Sequence, residues 1–592
     1  MECDQQNLPM RAIPVMTAIA SLIFVALALT AGMQEEPVVS TGLFNQPTQR
    51  IEQIRRTQPL VSDKDQKTDD SATVATERPF QKGEIRDNTA TVTELNTHWD
   101  ESRLSLITSF DVPTTQQSGS EIVGSSAAEL AVQKWIDEGT ATGHHGILYD
   151  NRDRDHSNLN RSKFPHLAFV EYDAAAKKSN ADWGLRIGQA FDLPTFGNSS
   201  TSHVGSPFWR SNPRSVLTDD LLTKIIYNEF MNNQMYCYPE HNDFDPQYGD
   251  VYPANAPFWV ISQGSSGSDQ QFMEAIALTM AAFRPDVRAK LIESHWLMSV
   301  VQMLLRRSQK SVQSDDDYFS GKAHPVVFQP SELDTLRMVQ FAHDLTIDKL
   351  PAMARIQVIE EDLGVPGRDY FHPHAAEKLF DTPAAVARVF RTTAFRRRMV
   401  MDASSSTELS GRSLRFRWSV LQGDPEKVQI RPLDAKGTRA EIIFQWHPRT
   451  AIPGLSGMET NRVDIGVFAD NGQTLSLPAF VSSFTLANED RTYVDGRIQT
   501  VDYGSPGISD RYVDPIIDIP KRWRDEYRYS ADMKQLGWVR TMPGSEPQEF
   551  ATDGRLVVKK DEAGEPIEFR RIKYEAELNE KQIPVLKVSV AP

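Results

Sequence analysis

Between residues 98 and 395, short apolar runs alternate with longer stretches in which apolar side chains recur every three or four positions. Leu167-Ala168-Phe169-Val170 and Phe258-Trp259-Val260-Ile261 have the length and composition of strands. Residues 270–283 put Phe272, Ile276, Thr279 and Phe283 on one helical face, and Pro285 stops the run. The same spacing predicts one long helix over 286–307 and another over 335–345, the latter with Leu336, Val339, Phe341 and Ala342. This stretch reads as a mixed α/β domain. From 396 to 486 the period shortens to two: Leu414 to Trp418, Val428 to Ile430, Ala440 to Phe444 and Val463 to Val467 predict short strands with the turn spacing of a β-sandwich. The tail, 487–592, is again strand-like, and its Asp553-Gly554 pair between apolar runs predicts a hairpin.

The N-terminal part has a different pattern. Residues 12–34 carry no charged side chain, and Ile13, Val15, Ile19, Leu22, Ile23, Phe24, Val25, Leu27 and Leu29 supply the apolar mass. That length lies between a signal peptide and a membrane-spanning helix, which needs about 20 apolar residues. Arg11 precedes the run, and Ala26-Leu27-Ala28 offers a small-x-small cleavage pattern. Residues 1–33 are therefore expected to be a signal peptide or membrane anchor. Residues 34–97 are rich in Gln, Thr, Ser, Asp and Glu, with Pro37, Pro47, Pro59 and Pro79 scattered among them. Such a segment buries too little to offset its ordering entropy and is expected to be a disordered tether. The address is then extracytoplasmic: secreted, periplasmic, or held by a single N-terminal membrane segment.

Composition narrows the partners. The 592 residues carry a formal charge of −16, which repels a phosphate backbone and argues against nucleic acid. The one basic cluster, Arg388, Arg391 and Arg396 to Arg398, is expected to be a solvated face. Of the two cysteines, Cys3 precedes the apolar run, so Cys237 stands alone in the folded body and is expected to be a buried small hydrophobe.

Three resemblances are carried by particular residues. Met401-Asp402-Ala403-Ser404-Ser405-Ser406, then Gly411, then Leu414 to Trp418 resembles the opening of a polycystic-kidney-disease-type (PKD) domain. That family implies an immunoglobulin-like sandwich with Trp418 in its core, and Val463 to Phe468 with Ala479 to Phe484 as its last hairpin. Glu408-Leu409-Ser410 stands where the family has an acidic turn, so the resemblance implies no calcium role there. Tyr529-Ser530-Ala531-Asp532 and Phe550-Ala551-Thr552-Asp553-Gly554 are similar to YD-type repeats of bacterial cell-surface proteins, although a small hairpin-rich sheet accounts for them as well. The body as a whole, with Tyr149 to Arg154, Gln263 to Asp269 and the PKD-like module, resembles uncharacterised exported proteins of planctomycete-type bacteria.

Candidate chemistry lies in the α/β domain. The first cluster is His144-His145 followed by Asp150, Asp153, Asp155 and His156; the second is His241, Asp243 and Asp245. Carboxylates at alternate loop positions can converge on a divalent cation such as calcium, and histidine beside carboxylate can do acid–base work. The third is Phe258 to Ile261 running into Ser262-Gln263-Gly264-Ser265-Ser266-Gly267-Ser268-Asp269 and then a helix. The turn resembles a nucleophile elbow with Ser266 as nucleophile and His156 or His241 as its base. It reads equally as a helix start with a Ser268–Gln271 capping box, or as an anion-binding turn. Two functions follow: an exported surface or periplasmic binding protein, whose ligand would be a carbohydrate, a protein or a small anion, or an extracytoplasmic hydrolase seated in the α/β domain.

Overall fold

The computed structural model describes residues 80–591 apart from 115–118, 154–156, 184–187, 200–202, 206–207, 241–251, 372–375, 452–458, 505–513, 515–516 and 581–583. Its centre is a nine-stranded sheet in the order Val327–Phe328, Trp259–Gln263, Gln234–Glu240, Thr195–Asn198, Leu148–Asn151, Ala168–Tyr172, Thr89–Val92, Gly83–Arg86 and Phe110–Asp111. The first seven run parallel. Parallel strands are covered on both faces, and Thr195–Asn198 and Gln234–Glu240 are accordingly buried at every position. Two of the strands, Gly83–Arg86 and Thr89–Val92, lie inside the stretch expected as tether. Ala90 and Val92 are the side chains they bury, too few to stand out among threonines and charges.

The chain enters the middle of this sheet at Leu148–Asn151, steps to Ala168–Tyr172 on one side, and returns to Thr195–Asn198 on the other. Strand order therefore reverses at Leu148–Asn151, and it is outside the carboxyl ends of the strands at such a point that α/β folds form a crevice. Gly197 permits their close approach: a Cβ there would sit 1.8 Å from the Asp150 carbonyl oxygen. Helices Ala127–Asp137, Gln270–Ala282 and Thr335–Asp344 pack on one another beside the sheet. The long helix expected over 286–307 is two, Pro285–Glu293 and Leu297–Arg307, broken where His295 takes a left-handed φ of 60°.

Two further sheets follow. One orders Gln357–Glu361, Arg396–Asp402, Arg439–Gln445 and Val428–Pro432; the other orders Lys378–Asp381, Ala385–Val389, Ala479–Phe484, Val463–Asp470 and Arg415–Gln422. Met399, Met401, Ile442 and Phe444 of the first meet Val386, Ile465, Val467 and Val481 of the second in one core. Trp418 is half-buried at its margin, its indole N–H donating to the Gly437 carbonyl at 2.8 Å. The arginine cluster is no solvated face. Arg388, Arg391 and Arg397 are buried and ion-paired with Glu361 and Asp381, Asp518, and Glu377 respectively. The tail is an antiparallel meander of seven strands from Asp490–Val494 to Pro566–Arg570, followed by the hairpin Ile572–Leu578 with Pro584–Val590. The chain is thus mixed α/β and all-β, in several sheets. No helix among the described residues is long and apolar enough to cross a membrane, and the apolar run at 12–34 lies outside them.

Candidate functional site

The carboxyl end of Leu148–Asn151 delivers Asp150, Asn151, Arg152 and Asp153 to the crevice. Asp150 is fully buried and turns inward. It accepts from Arg152 Nε at 2.7 Å, Tyr236 Oη at 2.8 Å and Tyr172 Oη at 2.9 Å. The Arg152 guanidinium also lies 4.2 Å over the Tyr236 ring and 3.7 Å from Glu229. Burial, followed by the charge of Asp150, outweighs that cation and pushes the Glu229 carboxyl up to about 7. Two acids thus share one arginine beneath the crevice, a network that fixes the strand ends.

Above it lies the turn between Trp259–Gln263 and Gln270–Ala282. Gly264 (φ 130°) and Gly267 (φ 92°) supply the left-handed conformations that the tight turn requires. The expected capping box is absent. The helix begins at Gln270 with no side-chain cap, and the Ser268 hydroxyl instead pairs with that of Ser262 at 2.7 Å. The N-cap residue, Asp269, has no solvent exposure, and neither carboxylate oxygen has a hydrogen bond of good geometry. Burial, with the charge of Asp153 adding to it, raises its pKa to about 6; the nearby Ser157 hydroxyl works in the other direction. Ser157 is held in a left-handed conformation (φ 52°) and accepts from the Gly267 N–H at 2.8 Å, so it ties the turn to the loop after Leu148–Asn151. Tyr149 completes the floor, donating to Asn198 Oδ1 at 2.7 Å and accepting from the Leu159 N–H at 3.0 Å. Burial, and then the charges of Asp269 and Asp150, hold its phenol neutral.

The charge of Asp153 bears on Asp269, a residue that sequence reasoning treated only as a favourable charge at a helix start. Its one usable signal was position: a carboxylate closing a Gly-rich strand-to-helix turn. Ser266 is exposed at the tip of that turn. His144 is buried ahead of the strand Leu148–Asn151, its Nδ1 3.3 Å from Glu121, at the opposite end of that strand from Asp153. Cys237 is buried, its thiol pushed well up by burial. Asp155, His156, His241, Asp243 and Asp245 lie outside the described residues. Among the described residues, no three His, Cys, Asp or Glu side chains are grouped to hold a metal ion.

No protein-family profile matches the chain, and no curated protein matches it. Among solved structures it is similar to a nucleoside hydrolase-related hypothetical protein from Saccharophagus degradans associated with carbohydrate metabolism. That match has 9% identity over 49% of this chain and 71% of the other, with a TM-score of 0.15.

Proposed function

We propose that the chain is an extracytoplasmic hydrolase whose acid–base centre is Asp269 with Asp153. The observation that carries this reading is a carboxylate with no solvent exposure and no well-made hydrogen bond, placed at the carboxyl edge of a parallel sheet beside a second acid. An unsatisfied buried carboxylate costs stability, and such costs collect where a group is kept for chemistry. Two acids in different surroundings divide the work. Asp269 keeps its proton to a higher pH than an ordinary aspartate, up to about 6, and delivers it to the leaving oxygen as the C–O bond breaks. Asp153 takes a proton from the water whose oxygen forms the new bond to that carbon. A proton returned from Asp153 to Asp269 restores the starting state.

A panel of chromogenic esters, phosphoesters and glycosides tests this. Turnover of one class is expected, falling as pH rises through about 6 and lost in Asp269→Asn by a factor of about 100 or more. A fluorophosphonate should leave Ser266 unlabelled. No turnover of any class, full activity in Asp269→Asn, or stoichiometric labelling of Ser266 would each overturn the assignment; the first would leave a ligand-binding protein. The address rests on the uncharged run at 12–34. Residues 1–60 fused to a reporter active only outside the cytoplasm should give signal, and a silent fusion would remove that part.

A further inference from the structure

A separate group of buried polar residues lies between the five-stranded sheet and the tail, on the segment after Ala479–Phe484 and the segment before Arg524–Tyr529. Asn488, Glu489 and Asp518 are buried, and the Lys521 side chain is 5% exposed. Asp518 stands between the amine and the amide. Lys521 Nζ donates to both of its carboxylate oxygens at 2.8 Å, and Asn488 Nδ2 donates to Oδ2 at 3.2 Å. One oxygen atom therefore touches both groups. Glu489 Oε1 lies 3.5 Å from the same Nζ.

We propose that Lys521 and Asn488 form a modification site, at which amine and side-chain amide condense into an intramolecular isopeptide bond with Asp518 as the proton carrier. Counted from the ammonium, Nζ gives up two protons: one frees the lone pair that attacks Cγ of Asn488, and the other is lost as the Nζ–Cγ bond forms. Both finish on Nδ2. The Cγ–Nδ2 bond breaks, and the nitrogen departs with its own two hydrogens as ammonium. A secondary amide then joins the two side chains. Atoms and charge balance with no oxidant, reductant or cofactor.

The arrangement suits each part of that step. Burial works to raise the Asp518 carboxyl, but the charges of Lys521 and Arg391 hold it below the usual range, so it stands as the anion that a base must be. The amide turns its leaving nitrogen to Asp518, since its oxygen would repel the carboxylate. That oxygen, Oδ1, is buried and has no hydrogen-bond partner among the described residues. The amine is held in place as well. The Tyr503 ring lies 5.2 Å from Nζ, and the Arg522 N–H donates to the Tyr503 carbonyl at 3.2 Å. Groups fixed in contact react with little further ordering cost.

Charge favours the product. Asp518 pairs with Arg391 as well as Lys521, and Glu489 with Arg491, so three buried cations meet two carboxylates. Ammonium carries one positive charge away, and the remaining pairs match one to one. The bond would close a loop around the strands Asp490–Val494 and Arg497–Asp502 and fasten the tail to the five-stranded sheet. With Cys237 the one cysteine of the folded body, no internal disulfide does this.

Tandem mass spectrometry of a tryptic digest of the full chain reads the bond directly. The expected product is a branched peptide joining Asn488 to Lys521, lighter by one ammonia than its two linear parts together, with no cleavage after Lys521. Lys521→Arg, which keeps a cation beside both carboxylates, and Asn488→Ala should give linear peptides only. Asp518→Asn should lower the branched fraction about tenfold or more, with circular dichroism reporting whether the variant is folded. Linear peptides with intact Asn488 and Lys521 from the unaltered, folded chain would overturn the proposal. So would a branch from Lys521 to Asp518 or Glu489, which loses water in place of ammonia, or a full branched yield from Asp518→Asn.

Discussion

Asp269 shows how one side chain can serve chemistry at the expense of stability. Its folded pKa, about 6, stands above the ordinary aspartate value near 3.9. The folded state therefore holds that proton more tightly than the unfolded chain does. The resulting stability is complete below about pH 4 and is lost as pH rises through about 6. Asp269→Asn, which cannot ionise, should then raise stability at pH 7.5 by up to about 3 kcal/mol, with the gain fading below pH 4. Urea unfolding at the two pH values reads this directly. A variant less stable than the parent at pH 7.5 would show that the ionised carboxylate is held by contacts that offset its burial. Ser157 bears on the same group, and its left-handed backbone is the kind of local strain found where a loop is held over a site.

Among the elements, the strand pair Leu148–Asn151 and Thr195–Asn198 sets the crevice, and Gly197 sets the pair. Its missing side chain lets the backbones close over Asp150, so Gly197→Ala must push the strands apart. A cost of about 3 kcal/mol is expected by chemical denaturation, because a backbone carbonyl cannot swing aside as a side chain can. The turn after Trp259–Gln263 was visible in sequence as glycines and serines between a strand and a helix, and a turn is what forms there. What could not be read was where its side chains point. Ser268 has the composition of a cap, yet its hydroxyl goes to Ser262, and the residue that closes the turn is an uncapped carboxylate. The break at His295 was hidden for a related reason: apolar spacing alone runs smoothly through a single left-handed residue.

Across the molecule, the sheets are not beads on a string. One continuous core runs from Tyr149, Phe196 and Ile261 of the α/β sheet to Phe380, Phe468 and Phe480 of the five-stranded sheet. Polar contacts cross the same boundary. Arg462, paired with Asp464, donates to the Tyr252 carbonyl at 2.7 Å, and Ser482 accepts from the Asn255 N–H at 3.0 Å. These bonds hold the segment leading into Trp259–Gln263, and through it the turn that carries Asp269. Residues 396–486 considered alone suggest a self-sufficient sandwich, yet their sheets also use Gln357–Glu361, Lys378–Asp381 and Ala385–Val389. That fragment expressed alone should show no cooperative thermal transition. A sharp transition with dispersed amide resonances would count against an interdependent core.

Local chemistry was enough to recognise the alternation of strands and helices, the shift to strands without α-helices after 396, the hairpins of the tail and a buried Cys237. Each depends on neighbours in the chain: period, turn residues, apolar run length. The reversal of strand order at Leu148–Asn151, the burial of three arginines of one cluster, and the bearing of the Asp153 charge on Asp269 depend instead on residues brought together from separate elements. No pattern along the chain tells an arginine whether its carboxylate partner waits in another sheet. Nor does it tell an aspartate that folding will remove its water and set it beside the Ser157 hydroxyl with no cation to pair with. Packing settles both, because desolvation and pairing belong to the space around a side chain and not to the order in which residues are joined.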